Sequence, residues 1–145
     1  MLFFRAANIG STSRIYFYLC LPHIIFYKFF VQWLFMVEIP WNTKIGKGLV
    51  VYHCLALVIN KDVVIGDYCV LRHTTTIGTK LTRDGTMSAA PKLGNHVDVG
   101  SNACIIGDIS IGDNAKIGAG SVVIRDVSAN CIAVGNPAVE KRYPE

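Results

Sequence analysis

Four histidines, His23, His53, His73 and His96, and five cysteines are the side chains of this 145-residue sequence best able to do chemistry. An imidazole changes charge near neutral pH, so it can take a proton from a substrate or return one. The cysteines, Cys20, Cys54, Cys69, Cys104 and Cys131, are odd in number and form no C-x-x-C pair. That pattern excludes a disulfide framework or zinc knuckle and reads as packing thiols in a reduced, cytoplasmic compartment. The formal charge of +4, from 14 basic and 10 acidic residues, suits an anionic ligand and gives no nucleic-acid surface. His23 sits inside an apolar run and reads as structural. His96 follows Asn95 on a turn and reads as exposed. His53 and His73 lie in a repeated part of the chain, where each is either a bystander at a corner or a functional group.

The elements that must position them fall into two unequal parts. Residues 1–41 hold 12 of the 15 aromatic residues, and residues 45–145 hold 12 of the 13 glycines. The boundaries expected are an apolar helical segment over 1–40, a repeat domain over 41–139 and a tail over 140–145. In the second part apolar anchors recur every six residues, at Ile59, Ile65, Leu71 and Ile77, then at Leu93, Val99, Ile105, Ile111, Ile117 and Val123, with Ala129 as a weaker last member. Ile45 and Val51 precede them, and glycine often follows the anchor. A second inward position falls four residues after each anchor and is often small, as at Cys69, Thr75 and Ala103; at the first turn it falls on Leu55. Helices repeat apolar positions at three and four, and strands alternate at two. A period of six fits a triangular solenoid in which each unit supplies a short strand and a turn. Two extra residues interrupt the period between Val51 and Ile59, near Leu57–Val58, and a longer break at 79–91 reads as a protruding loop.

The stretch Ile15–Ile39 is apolar nearly all round, interrupted by Pro22, His23, Lys28, Gln32 and Glu38. Residues 1–37 carry three basic side chains, Arg5, Arg14 and Lys28, and no acid. Three readings compete for it: helix packed against the repeat or a neighbouring subunit, peripheral contact of residues 15–37 with the inner face of a membrane, or a span.

The segments GLVVYHCLALVIN, VVIGDYCVLRHTTTIG, PKLGNHVDVGSNACIIGDISIGDNAKIGAGSVVIRDV and AVGNPA resemble the hexapeptide-repeat acyltransferases, in the group that holds serine acetyltransferase and the O-acetyltransferases of colanic acid and capsule synthesis. The resemblance covers about residues 38–138. It implies an all-β fold, a left-handed parallel β-helix, behind a short helical N-terminal segment. It also implies acetyl-CoA as cosubstrate, no metal, and a homotrimer with sites at subunit boundaries and the 79–91 loop arching over a neighbour.

By the same resemblance His53 is the catalytic base and Glu38, fifteen residues earlier, its carboxylate partner. The neutral imidazole would take the proton of an acceptor hydroxyl as it attacks a thioester, and the carboxylate would hold the ring's tautomer. His73, in Arg72-His73-Thr74-Thr75-Thr76-Ile77-Gly78, would assist His53 or bond the acceptor. Gly78, Ser101 and Ala119 would meet the pantetheine arm, and Lys92 and Lys116 the phosphates. The serine enzymes resemble this chain but carry charged groups where it has Tyr52, Ala89 and Ala90. Tyr52 and Arg72 are therefore read as acceptor contacts for a neutral hydroxyl, as on a sugar or polysaccharide precursor. The alternatives are serine O-acetylation and a β-helix without catalysis.

Overall fold

The computed structural model describes residues 14–34 and 36–142. Helix α1 (Arg14–Phe26) runs into a π-helical segment (Tyr27–Leu34). The rest is a left-handed parallel β-helix. Its first coil is β1 (Lys44–Ile45), β2 (Val50–Tyr52) and β3 (Val58–Ile59). The second is β4 (Val64–Ile65), β5 (Val70–Arg72) and β6 (Thr76–Gly78). The third is β7 (Lys92–Leu93), β8 (Asp98–Val99) and β9 (Cys104–Ile106), and the fourth β10 (Ser110–Ile111), β11 (Lys116–Ile117) and β12 (Val122–Val123). An antiparallel hairpin, β13 (Cys131–Gly135) and β14 (Ala138–Arg142), closes the far end. Three sheets result, ordered β1-β4-β7-β10, β2-β5-β8-β11-β13-β14 and β3-β6-β9-β12.

Apolar side chains at six-residue spacing become the core because one of them points inward on each face. Ile59, Ile65, Leu71, Ile77, Val99 and Ile105 are all buried. The four-residue partners Val63, Cys69, Thr75, Val97, Ala103 and Ala115 are buried beside them, and their small size suits a narrow interior. Ile45 stacks on Ile65, because the first coil is two residues longer than three six-residue units. Two expectations are corrected. Leu55 is 54% exposed and Leu57 fully buried, so the extra residues fall before Leu57 and not beside Val58. Ala129 is exposed, and the inward places near the end go to Val127, Cys131 and Ala133.

The glycine that follows an anchor is required by close approach of the next coil. A β-carbon on Gly66 would stand 2.4 Å from the carbonyl oxygen of Gly94 and 2.6 Å from its carbon. The left-handed backbone comes two residues later and tolerates other residues, with φ of 55° at Tyr68, 56° at His96 and 58° at Asn114. Side chains of the turns then satisfy the N–H groups of the coil before. Asp67 accepts from Lys47 N–H at 2.8 Å, Asn95 from Asp67 N–H at 2.9 Å and Asp113 from Asn95 N–H at 2.6 Å.

The long insertion folds into a small hairpin. Leu81 bridges Met87, Thr82 N–H donates to Thr86 O at 2.8 Å, and Gly85 takes the turn at φ 81°. Asp84 accepts from both threonine hydroxyls, and the Thr82 hydroxyl above all holds its carboxyl below the usual range.

Gly66→Ala must push two coils apart and should destabilise the fold by about 1–3 kcal/mol. Thermal melting monitored by circular dichroism checks this; an unchanged midpoint would show that the coils have slack at that corner.

Candidate active site

Parallel pairing of β2 with β5 sets Tyr52 opposite Arg72. The next residue of each strand is therefore a histidine, and His53 and His73 leave the sheet side by side. Their ring centroids lie 5.7 Å apart, with the planes at 80°. The extra two residues of the first coil make this corner. His53 and Ala56 take left-handed backbone, at φ 52° and 49°, and the chain swings outward before Leu57 returns to the core. His53 is exposed. His73 is half-buried, and its Nδ1 is shielded from solvent without a hydrogen-bond partner among the described residues.

The corner continues down the coil. Thr74 N–H donates to Leu55 O at 2.9 Å, Asn102 N–H to His73 O at 3.1 Å and Gly120 N–H to Ser101 O at 2.9 Å. Ser101 and Ala119 therefore stand in successive turns directly below His73. Arg72 does not reach out as a free cation. Its guanidinium donates to the Asp98 carboxylate and, at 3.0 Å, to Val99 O, and lies 5.8 Å from the ring centre of Tyr52. Asp98 was not singled out from the sequence. Its signal is the coil offset, since Val70 pairs with Asp98 and sets that carboxylate within reach of Arg72.

Other expected residues lie elsewhere. Glu38 bridges Val58 at the edge of the β3 sheet, donating its N–H to Leu57 O at 2.7 Å and accepting from Ile59 N–H at 2.8 Å. Among the described residues no hydrogen bond joins its carboxylate to His53 or His73. Glu38 instead lines a groove of about 460 Å³ with Val58, Asn60, Thr76 and Gly78. Gly78 closes β6, at the opposite end of that strand from the His73–Ser101 corner. Lys92 is exposed on the β1-β4-β7-β10 face, and Lys116 on the β2-β5-β8-β11 face, where it pairs with Asp98 in register. Ala90 is buried and Ala89 exposed.

Cys54 follows His53, and the pair could be taken for a thiol nucleophile and its base. Desolvation pushes the Cys54 thiol up, away from the thiolate that such chemistry needs. Among the described residues no three His, Cys, Asp or Glu side chains converge as a metal cluster.

The six-residue turns of this coil are those of a hexapeptide-repeat protein. Residues 90–125 match the family model described as bacterial transferase hexapeptide (six repeats). The chain is 40% identical over 117 residues to WcaB of Escherichia coli (strain K12), which is assigned to colanic acid biosynthesis as an acetyltransferase; the match covers 81% of this chain and 70% of that protein. It is 41% identical over 101 residues to the serine acetyltransferase of Synechococcus elongatus, covering 70% of this chain and 41% of that enzyme. A solved serine acetyltransferase in complex with CoA superposes with a TM-score of 0.77 at 27% identity, over 96% of this chain and 54% of that one. The chain belongs to the hexapeptide-repeat acyltransferases, alongside the serine acetyltransferases and the colanic acid acetyltransferases. It spans about half the length, or less, of the two serine acetyltransferases compared.

The outward loop that carries His53 makes Leu57 a core residue and leaves Leu55 outside. Leu57→Ala should cost about 2–5 kcal/mol, and Leu55→Ala within about 0.5 kcal/mol. Denaturant titration of the two variants checks the assignment, and a larger loss at Leu55 would reverse it.

Proposed function

We propose that the chain transfers an acetyl group from acetyl-CoA to an acceptor hydroxyl, with His53 as general base. The observation that carries this is the corner itself. It sets two imidazoles edge to face, directly above Ser101 and Ala119, in a chain whose fold superposes on a CoA-bound relative.

An alcohol is a weak nucleophile until its proton is removed. The His53 imidazole takes that proton as the oxygen attacks the thioester carbonyl. The tetrahedral intermediate collapses, the carbon–sulfur bond breaks, and the imidazolium returns the proton to the departing CoA thiolate. His73, whose shielded Nδ1 has no partner among the described residues, bonds the acceptor and holds it against His53. Small residues at 101 and 119 let the pantetheine arm approach the backbone. Gly78 and Lys92 lie off the sheet from which the two histidines emerge, whereas Lys116 shares it. A trimer with sites at subunit boundaries is what the resemblance implies.

For the acceptor, the comparisons weigh more toward L-serine than toward the sugar hydroxyl expected from the sequence. The CoA-bound structure and the cyanobacterial relative are both serine acetyltransferases. The second reading, a neutral sugar hydroxyl, rests on the site. Tyr52 and the two alanines offer no charge to an ammonium or carboxylate, and Asp98 already neutralises Arg72. A zwitterion bound there would lose hydration without compensation.

Thiol release from acetyl-CoA, measured with L-serine and with a panel of hexopyranosides, separates the readings. His53→Ala should lower kcat by about 10²–10⁴-fold with the true acceptor; turnover unchanged by this substitution would refute the proposal. Glu38→Gln tests the carboxylate separately. A loss approaching that of His53→Ala would mean that Glu38 swings onto the ring during turnover, whereas full activity would leave it a groove residue.

A further inference from the structure

The N-terminal helical segment is fastened to the coil by one narrow stripe. Ile24 and Tyr27 are buried, and the Tyr27 hydroxyl donates to Ile39 O at 2.9 Å. The opposite side is aromatic and open. Trp33 is 73% exposed and Phe29 57%, with Ile25, Phe30 and Met36 exposed around them. The rings form one interlocked surface: Phe29 and Trp33 stack at 5.5 Å, Phe26 and Phe30 at 4.4 Å, and Phe29 meets Phe30 edge-on at 5.2 Å. A contiguous apolar face of this kind marks a contact with something outside the chain.

We propose that this face docks on an anionic lipid surface. Charge selects that occupant. Residues 1–37 carry Arg5, Arg14 and Lys28 and no carboxylate, and the exposed Lys28 lies between Phe26 and Phe29 in sequence. Aromatic rings with basic neighbours are what an interfacial helix presents to headgroups and acyl chains, and anionic headgroups attract each basic side chain. No helix among the described residues is long and apolar enough to cross a membrane, so the segment lies along the surface. The Tyr27 hydroxyl ties the segment to Ile39, at the entry to the first coil, and that coil carries His53. Docking therefore brings the first coil, with its histidine, to the lipid side of the molecule. The docking itself does not depend on which acceptor is used.

The test is sedimentation of the full chain with vesicles of phosphatidylcholine, with and without phosphatidylglycerol. The wild type should sediment with the anionic vesicles and be partly released by about 1 M salt. Phe29→Ser/Trp33→Ser should bind at least about tenfold less while melting close to the wild type, because both side chains are exposed. Lys28→Glu, which leaves the rings in place, should also bind the anionic vesicles less. Failure of the wild type to sediment with phosphatidylglycerol, or equal binding by the double variant, overturns the proposal. Unchanged binding by Lys28→Glu overturns the assignment to an anionic surface. Self-association lost in the double variant, without vesicle binding, would show that a second copy covers the face.

Discussion

Parallel strands stack at about 4.8 Å, and at one corner of each coil that spacing leaves no room for a β-carbon. Gly46, Gly66, Gly94 and Gly112 occupy that column, each lying where a side chain would meet the backbone or turn side chain of the next coil. The rest of the molecule depends on this contact. Coils that approach so closely can pair all three of their strands, and paired strands carry their anchors into one continuous apolar column. The same approach brings Asp67, Asn95 and Asp113 within reach of the N–H groups of the preceding coil. Core and turn polarity are thus satisfied by one repeat distance.

The candidate site is a local departure from that rule. Two residues more than the period allows cannot be stored inside a filled triangular core, so they are expelled at the corner between β2 and β3. The expelled loop carries His53, and the next coil, which has no such insertion, supplies His73 from the equivalent place. The insertion is tolerated because Leu57 takes the inward place that Leu55 vacates. Strand register then determines the neighbours. Arg72 is drawn onto Asp98 and Tyr52, which makes this part of the surface polar but locally neutral.

The six-residue period, most of the inward positions, the long insertion and the two histidines were legible in the chain, because each rests on local spacing. Other features were not. The place of the two-residue insertion is hidden, since both Leu55 and Leu57 are apolar and either could fill the core. The reason for the glycines was also hidden. Conformational freedom and lack of space leave the same residue in the sequence, and only the neighbouring coil distinguishes them. Glu38 stands differently: the resemblance pairs it with His53, and the fold ties its backbone to the β3 edge and sets it in a groove with Val58, Asn60 and Gly78.

Sequence alone determined that this chain is a coil of hexapeptide turns, because a period of six is a one-dimensional property that strand and turn geometry read directly. It also determined that an apolar, acid-free segment precedes the coil, since composition needs no fold to be counted. Tertiary structure decided which outward residues meet. His53 with His73, Arg72 with Asp98, and the turn of Ser101 under His73 are separated by 20, 26 and 28 residues. Those offsets depend on how much chain each coil spends on its corners and insertions, and that length is known only once the coils have closed on one another.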